Sequence, residues 1–153
     1  MTILEVPWRS PFAVVEAIKD IIKDKVVCDL ESACGDIMVA MKKHAKDVNG
    51  MEINPDMVLA SKSRGLNTIE GNVFTSPIPD AEVYYIWCDA AVIHLIPGIM
   101  KKGTWIIASD PREEEDTEIE KLNLDGYWIE VPYNEGNLWR QQGTYRLFVT
   151  EKT

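Results

Sequence analysis

A doubly wound α/β domain with a mostly parallel seven-stranded sheet is the fold class this sequence predicts. Three observations predict it. Apolar strand-like runs alternate with helix-like stretches through the first two-thirds of the chain, and alternation with short connections implies parallel strands covered by helices on both faces. Two strand-like segments in succession end the chain, which implies one antiparallel strand near the C-terminus. The length of 153 residues fits a single domain, 1–153, with one sizeable core.

The elements follow in order. Ser10-Pro11 opens the first helix, with serine at the N-cap and proline at the first helical position. Val14, Val15, Ile18, Ile21 and Ile22 supply its apolar stripe, and Lys23-Asp24-Lys25 ends it. Lys25–Leu30 reads as a short buried strand, and 35–46 as a helix with a basic last turn that suits the dipole. Val48–Ile53 is the second strand. Asn54-Pro55 repeats the cap-then-proline start for a helix to about Ser63, stopped by Gly65. Asn67–Glu70 is a third strand, and Pro77 and Pro79 mark a loop. Glu82–Trp87 is a fourth strand. The helix after it, to Lys101, is expected to kink or break at Pro97-Gly98. Gly103–Ser109 is a fifth strand, 113–122 a helix, and Trp128–Tyr133 and Thr144–Thr150 the closing strands, joined by a polar loop.

Composition narrows the function. Hydrophobic residues make up 46% and charged residues 27%, a globular balance. No apolar run is long enough to cross a bilayer, so no membrane partner is expected. The N-terminus lacks the basic start and apolar stretch of a signal peptide, and a cytoplasmic location is the expectation. The net charge of −9 argues against nucleic acid as the main partner, since a duplex binder presents a basic face. A cationic ligand or a basic protein segment suits this charge better. Cys28, Cys34 and Cys88 show no Cys-x-x-Cys spacing and read as reduced, buried thiols. His44 and His94 stand far from any metal-ligand spacing and read as ordinary helix residues, so no metal is expected.

In open α/β sheets ligands bind beyond the carboxyl ends of the strands, where the strand order reverses. Four places qualify. In Asp29-Leu-Glu-Ser-Ala-Cys-Gly-Asp36, small residues would let a ligand approach the backbone, and the following helix N-terminus would offer free N–H groups; a plain strand-to-helix turn reads equally well. Glu52 ends the second strand beside Ile53, where an acid can accept from both hydroxyls of a ribose; the plain alternative is a solvated carboxylate. In Gly71-Asn-Val-Phe74, Asn72 could reach the exocyclic amine of an adenine, although by itself a turn asparagine is the stronger reading. Asp89, in Cys88-Asp-Ala90, would face the cleft or cap the next helix, and these two roles are compatible. Tyr84, Tyr85, Trp87 and Trp105 read as packing residues, and Glu113-Glu-Glu-Asp116 as a solvated helix start.

These positions together make the chain resemble the seven-strand, Rossmann-like class I methyltransferases that use S-adenosylmethionine. Within them it is most similar to small archaeal protein-lysine methyltransferases and their relatives that modify the ATP synthase c-subunit. The likeness spans nearly the whole chain. It is carried by Pro7-Trp-Arg-Ser-Pro11, Val27-Cys-Asp-Leu30, Gly35, Asn49-Gly-Met-Glu-Ile-Asn-Pro55, Gly71-Asn-Val-Phe74 and Lys101-Lys-Gly-Thr-Trp-Ile-Ile107. The resemblance implies that Glu52 binds the ribose with Ile53 beside it, and that Asn72 takes the adenine edge with Val73 beside the ring. It implies that Asp29 and Gly35 shape the methionine side, and that Ser10 and Asp89 lie near methyl transfer. Three positions depart from the family turn Asp-Leu-Gly-x-Gly-x-Gly: its first two glycines are Glu31 and Ala33 here, and the family's acid before the last glycine is Cys34, with Asp36 following Gly35. Glu31 would put a carboxylate where the methionine moiety passes, to repel the ligand's carboxylate or pair with its ammonium or sulfonium. The cofactor-binding set expected from the resemblance is therefore Asp29, Glu31, Ala33, Gly35, Glu52, Ile53, Asn72, Val73 and Asp89.

The activity so implied is transfer of a methyl group to protein lysine. Asp89 and Ser10 are the candidates to take the acceptor's proton. A binding or regulatory module with a degenerate cofactor turn is the alternative, and a small-molecule methyltransferase a further one. The Asn/Asp-Pro-Pro-Tyr/Phe tetrad of adenine methylases is missing after the fourth strand, where Cys88-Asp-Ala-Ala91 stands. Gly-x-Gly-x-x-Gly is missing too, which argues against a nicotinamide-dependent oxidoreductase.

Overall fold

The computed structural model describes residues 8–87, 92–99, 101, 103–110 and 118–152. Seven strands form one sheet: β1 (Val26–Leu30), β2 (Asp47–Glu52), β3 (Asn67–Glu70), β4 (Val83–Trp87), β5 (Trp105–Asp110), β6 (Tyr127–Asn134) and β7 (Gln142–Glu151). Their spatial order is β3-β2-β1-β4-β5-β7-β6. The first five run parallel, and β7 is antiparallel to both neighbours, β5 and β6. The chain moves outward from β1 through β2 to β3 and then returns to place β4 on the other side of β1. The strand order therefore reverses between β1 and β4, the position at which such sheets bind ligands.

Both faces of the sheet are covered. Helix α1 (Ala13–Ile22) and helix α2 (Asp36–Met41) lie on one face. There Val14, Ile18, Ile22, Met38 and Met41 pack on Val27, Tyr85, Ile107 and Leu147. On the other face Cys28, Leu30, Tyr84, Ile86 and Ile106 pack against Ile96 of α4 (Ile96–Ile99) and Ile119 of α5 (Glu118–Lys121). Alternate residues of one strand thus serve two cores, and for that reason β1 and β4 are apolar almost throughout. Helix α3 (Pro55–Ser63) packs beside β2 and β3. No helix among the described residues is long and apolar enough to cross a membrane.

Several expectations need correction. Ser10 does not cap α1: the helix begins at Ala13, and its N-cap is Phe12, in helical conformation with no side-chain cap of its own. The acceptor comes from the β6–β7 turn instead. Glu135 accepts from the N–H of Phe12 at 2.8 Å and of Ala13 at 3.0 Å. An acid at this end of a ten-residue helix also meets the positive pole of its dipole.

Helix α2 ends at Met41 rather than 46. His44 and Ala45 both donate to the Met41 carbonyl, Lys46 N–H bonds Lys25, and Ala45 bridges Lys23. The chain must join β2 by Asp47, so sheet pairing stops the helix early. His44 therefore lies in a turn, with Nε2 3.8 Å from Glu16, and His94 lies in a 3₁₀ turn, Val92–Leu95. The break expected at Pro97-Gly98 falls before them, at the passage from that turn into α4. Proline fits the first turn of a helix, so Pro97 starts α4 rather than breaking it.

Ile53 leaves the ladder of β2, and Gly103 precedes β5 in a turn. Cys28 and Cys34 are buried and in no disulfide, and burial with the Asp29 charge pushes Cys28 up to about 12. Cys88, Asp89, Glu113 and the rest of the acidic run to Asp116 lie outside the described residues.

Candidate functional site

The carboxyl ends of β1, β2 and β4 open into two adjoining cavities. The larger, of about 200 Å³, is walled by Asp29 and the β1–α2 turn, by Glu52 and Ile53, by Tyr85 and Trp87 of β4, and by Trp8, Arg9 and Ser10. The smaller, of about 100 Å³, lies between Met51, Ile53 and Gly71–Phe74. Glu31 and Ile53 line both and stand at the junction.

Of the sequence-predicted residues, Ser10, Asp29, Glu31, Ala33, Glu52 and Ile53 meet in the larger cavity. Asn72 and Val73 line the smaller one. Gly35 lines neither. It takes a left-handed φ of +91°, and a Cβ there would collide with Leu66 Cδ1 and come 3.0 Å from Ser61 Oγ. Its role is to seat the turn against α3 and β3. Asp89 lies outside the described residues. Tyr85 and Trp87 read from sequence as packing, and Trp8 only as part of the Pro7–Pro11 resemblance. All three reach the cavity through the convergence of β4 with the segment before α1, which local sequence does not signal.

The turn after β1 holds its own backbone tightly. Ser32 N–H donates to Met51 O at 3.0 Å, Ala33 N–H to Glu52 Oε1 at 2.8 Å, and Gly35 N–H to Ser32 O at 3.1 Å. The free N–H groups expected here for an anion are thus engaged at these three positions. Helix α2, with six residues, adds little dipole. Arg64 pins the turn from α3, donating to Asp36 Oδ1 at 2.8 Å and to Cys34 O at 3.1 Å.

Glu52 is fixed from both sides. Besides Ala33 on Oε1, Oε2 accepts the Asn54 N–H at 2.8 Å. Each carboxylate oxygen has a further lone pair, so the group keeps capacity for two hydroxyl donors. Asn72 organises the turn after β3. Its Oδ1 accepts from Phe74 N–H at 2.9 Å, and its carbonyl accepts from Thr75 and Ser76. The turn role read from sequence and the cavity-lining position belong to the same residue.

The electrostatics are one-sided. Asp29 is only 5% exposed, and burial, then the charges of Glu52 and Glu31, hold its carboxyl well above the usual range. Arg9, the cation on this wall, is engaged with Glu135 at 3.2 Å, and Asp36 with Arg64. Beside Asp29, whose ladder partner is Tyr85, three hydroxyls form a chain. Tyr85 donates to Ser10 Oγ at 2.7 Å, and Ser10 Oγ lies 3.3 Å from the Tyr145 hydroxyl. Burial and the neighbouring Tyr145 push Tyr85 well above its ordinary value, so this chain stays protonated. No group of three or more His, Cys, Asp and Glu among the described residues could hold a metal ion.

The sheet order, the reversal between β1 and β4 and the antiparallel β7 together define a known architecture. The chain has the fold of the class I methyltransferases. An RNA methyltransferase from Salinibacter ruber, solved with S-adenosyl-L-homocysteine, matches 93% of this chain over 92% of its own, with TM-score 0.65 and 21% identity. The N-methyltransferase NodS from Bradyrhizobium japonicum matches 92% over 94%, with TM-score 0.69 and 9% identity. Precorrin 8w decarboxylase from Methanobacterium thermoautotrophicum matches 95% over 92%, with TM-score 0.66 and 18% identity. At these identities the likeness concerns the fold. Neither a family model nor a curated protein matches the sequence.

An elongated, partly cationic nucleoside fits the residues present. The smaller cavity pairs the apolar Met51, Ile53, Val73 and Phe74 with the Asn72 amide, which suits a base, and meets Glu31 at the junction. The larger offers Glu52 for hydroxyls and Glu31 for positive charge, with Asp29 shaping its wall.

Proposed function

We propose that this chain binds S-adenosylmethionine and transfers its methyl group to lysine on a basic protein segment. The observation that carries the reading is the pair of cavities at the strand-order reversal, joined at Ile53 with Glu52 beside it. Glu52 takes the ribose hydroxyls, Ile53 and Val73 flank the adenine, and Asn72 meets its edge. Asp29 shapes the methionine side, and Glu31 faces the cationic half. When bound, the cofactor supplies an electrophilic methyl group on a sulfonium. The chain's own residues then align the acceptor and exclude water.

An acceptor lysine must shed a proton first. Asp89, two positions after β4 in the sequence, is the candidate to take it. Ser10 serves as a positioning residue, because its oxygen already accepts from Tyr85. The lysine reading is supported by the charge of −9 and by the rings at the rim. Trp8 lines the cavity and stands 5.6 Å from Trp139, which is 78% exposed, and aromatic faces attract ammonium groups.

A binding module is the second reading. It is favoured by the side chains at Glu31 and Ala33, where close approach of a ligand to the backbone would call for glycine. Calorimetry with S-adenosylmethionine tests the first. Micromolar binding is expected, weakened at least about tenfold by Glu52→Ala, which removes a charge-assisted acceptor. Absence of binding at any concentration overturns it. With binding established, radiolabelled methyl transfer to lysine-rich peptides separates enzyme from module.

A further inference from the structure

We infer that Glu135 is a positioning residue of the cleft: from the β6–β7 turn it fixes the segment Trp8–Phe12, and with it the wall that faces the methionine half of the cofactor. This rests on the cofactor reading above and adds a residue that lies outside the cavity.

The segment has no regular structure of its own, since Trp8–Phe12 lies in no helix or strand. Yet Trp8, Arg9 and Ser10 line the larger cavity and not the smaller. A wall without a hydrogen-bond ladder needs side chains to hold it. One carboxylate grips this wall on both sides of Ser10. Glu135 Oε1 accepts from Arg9 at 3.2 Å and from the Phe12 N–H at 2.8 Å, and Oε2 accepts from the Ala13 N–H at 3.0 Å. The Arg9 and Glu135 side chains are only 13% and 19% exposed, so solvent and salt screen this pair less than an open surface pair. The Arg9 guanidinium also lies over the Phe12 ring, 3.7 Å from its centre, and so joins the two gripped ends.

Two further holds do not involve that carboxylate. Trp139 of the same turn stands against Trp8, with ring centres 5.6 Å apart. Ser10 Oγ accepts from Tyr85 and lies 3.3 Å from the hydroxyl of Tyr145, and both tyrosines are buried. Tyr145 belongs to β7, so the β6–β7 hairpin supplies Glu135, Trp139 and Tyr145 together. A hairpin at the edge of the sheet thus sets one wall of a cleft at its centre. Among these holds Glu135 alone joins the residues on either side of Ser10. Its loss leaves Ser10 tied to the tyrosines and frees Trp8 and Arg9 to leave the wall, so a ligand there must order them on binding.

Calorimetry on the full chain tests this with two probes, S-adenosylmethionine and adenosine, which lacks the methionine half. Glu135→Ala is expected to weaken S-adenosylmethionine at least about fivefold and to leave adenosine within about twofold, because the loosened wall faces one half of the ligand. Glu135→Gln keeps one acceptor oxygen and must show the same selectivity at smaller size. The control is Ile22→Val, a loss of core packing at the far end of α1, which should weaken neither probe in the folded protein. A spectroscopic reading needs no ligand. The exciton signal of the Trp8–Trp139 pair, defined in circular dichroism as the part removed by Trp139→Phe, should be lost in Glu135→Ala and kept in Ile22→Val. Equal weakening of both probes, or the same selective loss in Ile22→Val, makes Glu135 a general stabiliser and overturns the inference. Unchanged affinity for S-adenosylmethionine in Glu135→Ala overturns it too. If neither probe binds the unmutated chain, the cofactor reading falls by itself; the exciton signal then decides whether Glu135 holds the segment, and its persistence in Glu135→Ala overturns that role.

Discussion

Two turns build the cleft, and they reach the same end of the sheet in opposite ways. The turn after β2 is unstrained. Asn54 is extended at φ −80°, ψ 115°, its Oδ1 accepts from Asp56 at 2.9 Å and Met57 at 3.4 Å, and Pro55 starts α3. The turn after β1 takes a left-handed residue at every second position: Glu31 at φ +64°, Ala33 at +52° and Gly35 at +91°. Two of these three carry side chains. The strands themselves pair in register, Leu30 opposite Met51, so the contrast begins where the ladder stops. The strained turn carries Glu31, which lines both cavities, and Glu52 at the end of β2 ties that turn down through the Ala33 N–H. Strain concentrated on one wall and support on the other is the pattern of a binding site rather than a plain connection.

The largest expected effect falls on the strained turn's one remaining glycine. Gly35→Ala puts a Cβ into Leu66 and forces alanine into φ +91°. Left-handed strain and overpacking add to a loss of about 3 kcal/mol in urea unfolding. A loss below about 1 kcal/mol would mean the turn relaxes freely, and the contrast with the β2–α3 turn would disappear.

The second effect is a pH dependence. Burial and the charges of Glu52 and Glu31 raise the Asp29 carboxyl in the folded chain. The folded protein therefore keeps a proton that the unfolded chain releases near its ordinary value, about 3.9. Stability from this group is fully present below that value and is lost as pH rises through the higher folded value, by at most about 1.4 kcal/mol per pH unit. Asp29→Asn carries a neutral amide of similar shape and escapes the loss. Melting curves from pH 4 to 8 should show the two proteins diverging, with the variant the more stable at the alkaline end. Parallel curves would mean that the acidic wall is solvated and that its charges do not reach Asp29.

The same contrast explains what could be read from sequence. The relaxed turn was legible: Asn54-Pro55 states its cap and helix start locally. The sheet was legible too, because β1 and β4 serve two cores and are apolar on both faces. The early end of α2 was not, since it follows from Ala45 pairing with Lys23, a tertiary contact. Ser10 looked like a cap because its type and the following proline suit one. The acceptor came instead from Glu135, far along the chain, and Ser10 turned inward to Tyr85. Trp8, Tyr85 and Trp87 share one wall only because the strand order reverses there. Glu31 was legible as a departure from a glycine pattern, but its place between two cavities was not, because that depends on Ile53 and the turn after β3.

The smallest effect separates strain from charge at Glu31. Glu31→Gly relieves a left-handed side chain, which favours the variant by about 1 kcal/mol or more. Glycine also has more unfolded-state freedom to lose, a penalty of roughly 0.5–1 kcal/mol. Removing a negative charge beside Asp29 and Glu52 relieves repulsion and tips the balance toward a net gain of a few tenths of a kcal/mol. Ala33→Gly relieves similar backbone strain without changing any charge, and so isolates the first two contributions. If Glu31→Gly stabilises the fold more than Ala33→Gly does, the excess belongs to the carboxylate. The carboxylate would then be a residue the fold would be more stable without, as expected of a group held in place for what it binds. If the two changes are equal, the acidic wall costs the fold nothing measurable, and the contrast between the turns reduces to backbone conformation alone.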